Sequence, residues 1–266
     1  MKKELLIAIP AYNEEKNIAP VIESLLALPI MEKAEILVVN DGSKDNTLGV
    51  LKNYDINVIS HIYNLGYGSA LKTAYKFAIR NEYDYLIQID ADGQHDPCNI
   101  ENVYDALTSK LPSDVVIGSR FLQGSKTFKT GFAKKFVIWF FNTMIKLFTH
   151  CKITDPTSGL QGLNRKAFTF YGTYNNFVTD FPDANMVIQM LLNDFTVKEV
   201  PAIMHERVMG RSMHSGLKPI MYLIKMFISS IIVVLRTHYK KTSRKKRAIK
   251  DQKALARAQK DPVTLK

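Results

Sequence analysis

The first 120 residues alternate short apolar runs with stretches of helical periodicity, and a polar cluster follows each of the first four runs. The runs are ELLIAIP (4–10), AEILVVN (34–40), INVISHI (56–62), YDYLIQI (83–89) and SDVVIGS (113–119). EEKNIAPVIESLLAL has helical spacing, a short helix is expected over 45–53, and a longer one over 68–80. Strands apolar on both faces, alternating with helices, imply a mostly parallel sheet covered on both sides, an α/β fold. Ligands of such sheets bind beyond the carboxyl ends of the strands. The clusters PAYNEE, NDGSKDNT, YNLGYGSA and DADGQHDP fall there and are expected to build one composite site.

The fourth cluster constrains the chemistry most. Asp90 and Asp92 flank Ala91 directly after an apolar run. Carboxylates this close repel one another unless a cation neutralises them. Hard oxygen donors suit Mg²⁺ or Mn²⁺, which commonly join one or two carboxylates to substrate phosphates. Gln94 adds a neutral oxygen, and His95 is assigned a supporting role. No Cys/His cluster has zinc spacing. A metal held by so few protein ligands needs another donor, and a diphosphate supplies it. Arg120, just after the fifth run, and Arg207 and Arg211, in HERVMGRSMHS, are candidate phosphate partners. Their guanidinium groups match phosphate in bidentate fashion. Gly66 and Gly68 do not follow the first strand as a G-x-G-x-x-G fingerprint, so they are read as a tight turn entering a helix.

A chain of 266 residues fits one large domain, with or without an appendage. Two cysteines, Cys98 and Cys151, make no disulfide framework and suit a reducing compartment. The N-terminal run lacks the long apolar core of a signal peptide. The net charge of +11 is concentrated in Arg236–Lys266, which holds twelve Lys/Arg and two Asp, so the remainder is nearly neutral. Cations gathered in a tail argue against a nucleic-acid groove on the folded domain. They favour an anionic membrane surface as partner.

Two apolar segments point the same way. In FAKKFVIWFFNTMIKLFT (132–149), Lys134, Lys135, Asn142 and Lys146 share an arc of about 120°. That fits a buried helix with one wet stripe, or a helix at a membrane interface with snorkelling lysines. IMYLIKMFISSIIVVL (220–235) is sixteen residues long and interrupted by Lys225, short of the roughly 20 a span requires. It is expected to lie on a bilayer or to cross it once. Each cation of the basic segment that follows would add about 1 kcal/mol near an anionic leaflet. The expected boundaries are a catalytic domain over 1–215, an apolar membrane-associated helix over 216–238 and a poorly ordered basic tail over 239–266.

IPAYNEEKNI, VVNDGSKDNT, NLGYGSALKTA, IDADGQHDP, VIGSRF and DPTSGLQGLNRKA occur in this order. Together they resemble the family 2 glycosyltransferases of GT-A fold, over roughly residues 4–215, most closely the dolichyl- or polyprenyl-phosphate sugar transferase branch. The resemblance implies a UDP- or GDP-sugar donor, Mg²⁺ or Mn²⁺, and inverting transfer to a polyprenyl phosphate. With the apolar segments and basic tail, the expectation is a peripheral or single-span enzyme at the cytoplasmic membrane face, with membrane proteins among its partners. By the same resemblance, Pro10, Tyr12, Glu14 and Asp41 would line the nucleoside pocket. Asp90, Asp92 and Gln94 would hold the metal, with Asp92 also in the catalytic set. Arg120, Arg207, Arg211 and Ser212 would contact phosphates. Asp155 would stand beside the acceptor pocket, in a role the sequence does not define.

One departure bears on the acceptor. TDFPDANMVIQML has Asp183, but Asn185 where relatives often carry a second acid. A sugar hydroxyl acceptor needs a base, and Asp183 is the candidate. A lipid phosphate, with a second pKa of about 6, is already anionic and needs none. The alternative function is extension of a polysaccharide or lipid-linked glycan at a sugar hydroxyl.

Overall fold

A computed structural model describes residues 3–126, 132–173, 177, 182–206 and 223–243. All five expected strands form: β1 (Leu5–Ala11), β2 (Ala34–Asn40), β3 (Asn57–Ser60), β4 (Tyr85–Gln88) and β5 (Val115–Ser119). Two more join them, β6 (Gln161–Asn164) and β7 (Val197–Pro201), in the order β3-β2-β1-β4-β6-β5-β7. β1 pairs in parallel with β2 and β4, β2 with β3, and β5 with β7. β6 alone runs antiparallel, inserted between β4 and β5. Its sequence QGLN is too short and too polar to show a strand period. Ladders on both sides fix it instead.

The helices are α1 (Ile18–Leu26), α2 (Thr47–Leu51), α3 (Tyr67–Arg80), α4 (Asn99–Thr108), α5 (Phe132–Thr149), α6 (Arg165–Gly172) and α7 (Ala184–Leu192), followed by α8 over 223–243. They cover both sheet faces, and the alternation in β1 shows how. Leu6 and Ala8 enter one core with α3, α5, α6 and α7, while Leu5, Ile7 and Ile9 enter the other with α1 and α4.

α8 continues to 243, past the expected helix end at 238. Met226, Ser230, Val233 and Thr237 recur at helical spacing and are buried, so one stripe of α8 seals the first core. Near its end, Lys241 pairs with Asp194 at 2.9 Å. Among the described residues, no helix is long and apolar enough to cross a membrane.

The fold brings the loops after β1–β4 to one sheet edge and braces the first two together. The Asn13, Glu14 and Glu15 amides donate to Ser43, Thr47 and Asp45 at 3.0, 2.9 and 3.1 Å.

On β6, Gly162 lets α4 lie directly on the sheet. A Cβ there would stand 2.4 Å from Val103 Cγ1 and 2.8 Å from Leu107 Cδ1. Gly162→Ala is therefore expected to cost about 1–3 kcal/mol by overpacking. Urea unfolding should show a lower midpoint with an unchanged slope.

Candidate active site

Asp90, two residues beyond β4, is enclosed from several sides. The Tyr67 hydroxyl, at the first residue of α3, donates to Asp90 Oδ1 at 3.0 Å. His95 Nε2 stands 3.6 Å from Oδ2. Gly159 lies behind the carboxylate, where a Cβ would come within 2.1 Å of Oδ2. Burial pushes the Asp90 carboxyl up, but His95, the Tyr67 hydroxyl and the charge of Arg120 outweigh it and hold it below its ordinary value. Asp90 is thus an anion at neutral pH. Tyr67 is pushed well above its ordinary value by burial first, then by the charges of Asp90 and Asp183, so it stays a donor.

Asp92 forms the outer half of the acidic loop. Its Oδ1 accepts from the Gln94 amide at 3.1 Å, across Gly93 with φ +73°. Residues 203–205 clip this loop in place. The His205 amide donates to Gln94 O at 2.7 Å, and the Asp96 amide donates to Ile203 O at 3.1 Å. His205 Nε2 lies 2.8 Å from Asp96 Oδ2. Asp90 and Asp92 line a cleft of about 200 Å³ against α1, together with Lys16, Asn17 and His205. The Gln94 side-chain amide turns to His205 O at 3.4 Å. Arg207, Arg211 and Ser212 lie outside the described residues, immediately beyond this clip.

Arg120, a candidate phosphate partner, is engaged within the chain. Its Nε donates to Asp155 Oδ2 at 2.6 Å, and its Nη2 to Asp155 Oδ1 at 2.5 Å and Thr157 Oγ1 at 3.0 Å. Asp155 is fully buried and Arg120 is 8% exposed. A buried carboxylate requires such a partner, which accounts for the guanidinium turning inward. Glu199 fixes the same segment by accepting from the Thr154 and Asp155 amides at 2.8 Å each. Arg120 is thus a positive charge held near Asp90, and Asp155 is its buried partner.

Asp41, expected in the nucleoside pocket, is also internally engaged. It accepts from the Leu65 and Gly66 amides at 2.9 and 2.8 Å, and His61 Nδ1 lies 2.6 Å away. It thus holds the loop that leads into α3. Pro10, near the end of β1, and Glu14 on the first loop are half-buried and Tyr12 is exposed, with Glu14 accepting from Asn17 Nδ2 at 2.6 Å. Asp183 is the N-cap residue of α7, but its side chain makes no capping hydrogen bond. Asn185 is fully buried, accepts from the Asp183 amide at 3.0 Å and donates to Ser229 Oγ at 2.8 Å. The residue standing where a second acid was expected is a bridge from α7 to α8.

The donor set fits a hard divalent cation. Asp90 and Asp92 offer carboxylate oxygens on one cleft, and Asp90 is ionised. Among the described residues, no group of three or more Asp, Glu, His or Cys is arranged to hold a metal ion, although His95 stands near Asp90. Two carboxylates completed by ligand oxygens suit Mg²⁺ or Mn²⁺ rather than a structural zinc. Sequence reasoning missed Tyr67, Gly159, His61 and Glu199. Tyr67 and Gly159 stood in quoted motifs, yet nothing local says that they meet Asp90.

Comparison with known proteins adds to this geometry. The model of glycosyl transferase family 2 matches residues 6–172. A polyprenol monophosphomannose synthase of Mycolicibacterium smegmatis is 27% identical over 79% of this chain and 81% of its own length. A UDP-N-acetylglucosamine–dolichyl-phosphate N-acetylglucosaminyltransferase of Methanococcus voltae is 32% identical over 62% of this chain and 71% of its own. Among solved structures, glucosyl-3-phosphoglycerate synthase of Mycobacterium tuberculosis, in complex with Mn²⁺, UDP and glucosyl-3-phosphoglycerate, superposes with a TM-score of 0.63. That match covers 87% of this chain and 80% of the other at 18% identity, a likeness of fold alone.

Asp155→Ala should destabilise the protein by about 3–5 kcal/mol, because it strands the Arg120 charge in the interior. Replacing both partners with apolar residues, Arg120→Met with Asp155→Leu, should cost less in the same thermal or urea unfolding assay. Equal losses would mean that the ion pair is not what the segment depends on.

Proposed function

The chain belongs to glycosyl transferase family 2, and we propose that it transfers a sugar from a nucleoside diphosphate to a polyprenyl phosphate at the cytoplasmic face of a membrane. It is a glycosyltransferase of α/β GT-A fold with a mostly parallel seven-stranded sheet. Two relatives named for different sugars, mannose and N-acetylglucosamine, are both named for polyprenol- or dolichol-type acceptors. That supports the acceptor class and leaves the sugar, and the choice of UDP or GDP, to the assay below.

The observation that carries the choice of acceptor is Asn185. Its side chain is buried and bonded to Ser229, and it places no acid at 185, which leaves Asp183 as the candidate base at the start of α7. An acceptor phosphate brings its own negative oxygen and needs no proton removed. In the proposed inverting step, that oxygen forms a bond to the anomeric carbon. The bond to the donor diphosphate breaks, and the electron pair leaves on the nucleoside diphosphate. Asp90 and Asp92 would hold Mg²⁺ or Mn²⁺, which would neutralise charge on the departing diphosphate. Tyr67 and Gly159 keep Asp90 in a single pose. Asp183 would face the positive charge that builds on the sugar. Both cysteines are unpaired, consistent with a reducing compartment.

The test is incubation with polyprenyl phosphate, Mg²⁺ or Mn²⁺ and a panel of radiolabelled UDP- and GDP-sugars. One donor should yield an acid-labile, lipid-extractable product without any added glycan. Asp92→Ala should lower kcat at least about 100-fold. Asp183→Asn should lower it less than about tenfold. A loss of roughly 10²–10⁴-fold, the size of a general-base contribution, would instead support a hydroxyl acceptor. Label appearing only on a pre-existing glycan would refute the proposal.

A further inference from the structure

We propose that α5 and α8 together form one docking face for an anionic lipid bilayer, with both helices lying along its surface. The sequence presented these helices as separate apolar segments. The structure joins them, with the Phe140 and Phe227 ring centroids 6.1 Å apart. Each helix buries one stripe in the protein core and leaves another apolar stripe in solvent. On α5 the outer stripe includes Phe136 and Trp139, the latter 60% exposed; on α8 it includes Ile228, Ile232 and Leu235. An exposed apolar surface of this kind, rimmed by polar residues, marks an interaction site.

The charge pattern selects the occupant. Neither helix contains an Asp or Glu. At about 100° per residue, Lys135 and Lys146 fall on the side of the α5 stripe away from Phe140. Lys225 and Arg236 likewise fall on the side of the α8 stripe away from Phe227. All four are exposed. The apolar centre thus has cations along both outer margins, the arrangement in which long side chains snorkel to headgroups. Residues 244–266 add nine Lys/Arg against two Asp. Apolar burial plus a polybasic segment makes two signals for an anionic leaflet. Because neither helix, over its described residues, is long and apolar enough to cross, the face would lie in the interface.

The same helices are bonded to the candidate site. Asn142 of α5 donates to Thr154 O at 3.2 Å, next to Asp155. Ser229 of α8 accepts from Asn185, which caps back to the Asp183 amide. Docking would therefore hold Asp183 and its neighbours at a fixed height above the bilayer. The preference for a bilayer over a basic-face protein partner rests on the lipid acceptor proposed above.

Trp139 is the only tryptophan of the chain and reports on this face directly. Its emission in the full-length protein should shift to the blue on mixing with phosphatidylglycerol–phosphatidylcholine vesicles. The shift should weaken with added salt and be absent with phosphatidylcholine alone. Ile228→Ser with Ile232→Ser, both at exposed positions, should keep the circular dichroism spectrum and bind these vesicles about tenfold more weakly or worse. Co-sedimentation with unmoved Trp139 emission would overturn the proposal, because the tail alone would then be the anchor. A blue shift that grows with protein concentration without vesicles would overturn it in favour of a second copy. Transfer to detergent-dispersed polyprenyl phosphate separates the two proposals. If transfer persists while vesicle docking fails, the docking face is wrong and the acceptor stands. If docking occurs and no polyprenyl phosphate is glycosylated, the face stands and the acceptor is wrong.

Discussion

A carboxylate fixed at the end of β4 sets the terms for the rest of the molecule. Asp90 stays ionised in a partly enclosed setting because His95, Tyr67 and the Arg120 charge counter its desolvation. Each of these neighbours is itself held. Tyr67 begins α3, whose entry loop hangs from Asp41. Arg120 is locked to Asp155, whose segment hangs from Glu199 on β7. Gly159 has no side chain because Asp90 occupies that space. Asp41 and Asp155 are thus part of the frame that holds Asp90 and Asp92 in place.

The frame extends into the helices that carry the exposed apolar face. Asn142 ties α5 to the Asp155 segment, and Asn185 ties α7 to α8. A lipid acceptor has its phosphate at the bilayer surface and its chain within. An enzyme that acts on it must set its reacting edge at a defined depth, and two side-chain amides bonded to both parts supply such a linkage. On this account Asn185 is a structural choice compatible with an acceptor that arrives already charged.

Much of this was legible in the residues because it is local. The first five strands are continuous apolar runs, and their polar ends mark the site edge whatever the exact register. Asp90 and Asp92 stood out because adjacent charge needs a reason. What stayed hidden depends on contacts between distant segments. β6 carries too little periodicity in QGLN to be seen, and it exists because β4 and β5 hold it on both sides. Arg120 was legible as a cation just after the fifth run, but the buried acid it pairs with lies 35 residues away. The two outer stripes of α5 and α8 were each visible, but their meeting at Phe140 and Phe227 is a tertiary fact.

The central claim is that the enclosed Asp90, with Asp92, holds a divalent cation that in turn binds a diphosphate. Calorimetric titration of UDP and GDP, each with and without Mn²⁺, tests it most directly, alongside a Gly159→Ala variant whose fold is checked by circular dichroism. The account predicts that Mn²⁺ tightens one nucleotide at least about tenfold in the native protein, and clearly less in the variant, where the added methyl displaces the Asp90 carboxylate. Nucleotide affinity indifferent to Mn²⁺ in the native protein, or a folded Gly159→Ala protein with the full metal effect, would contradict it.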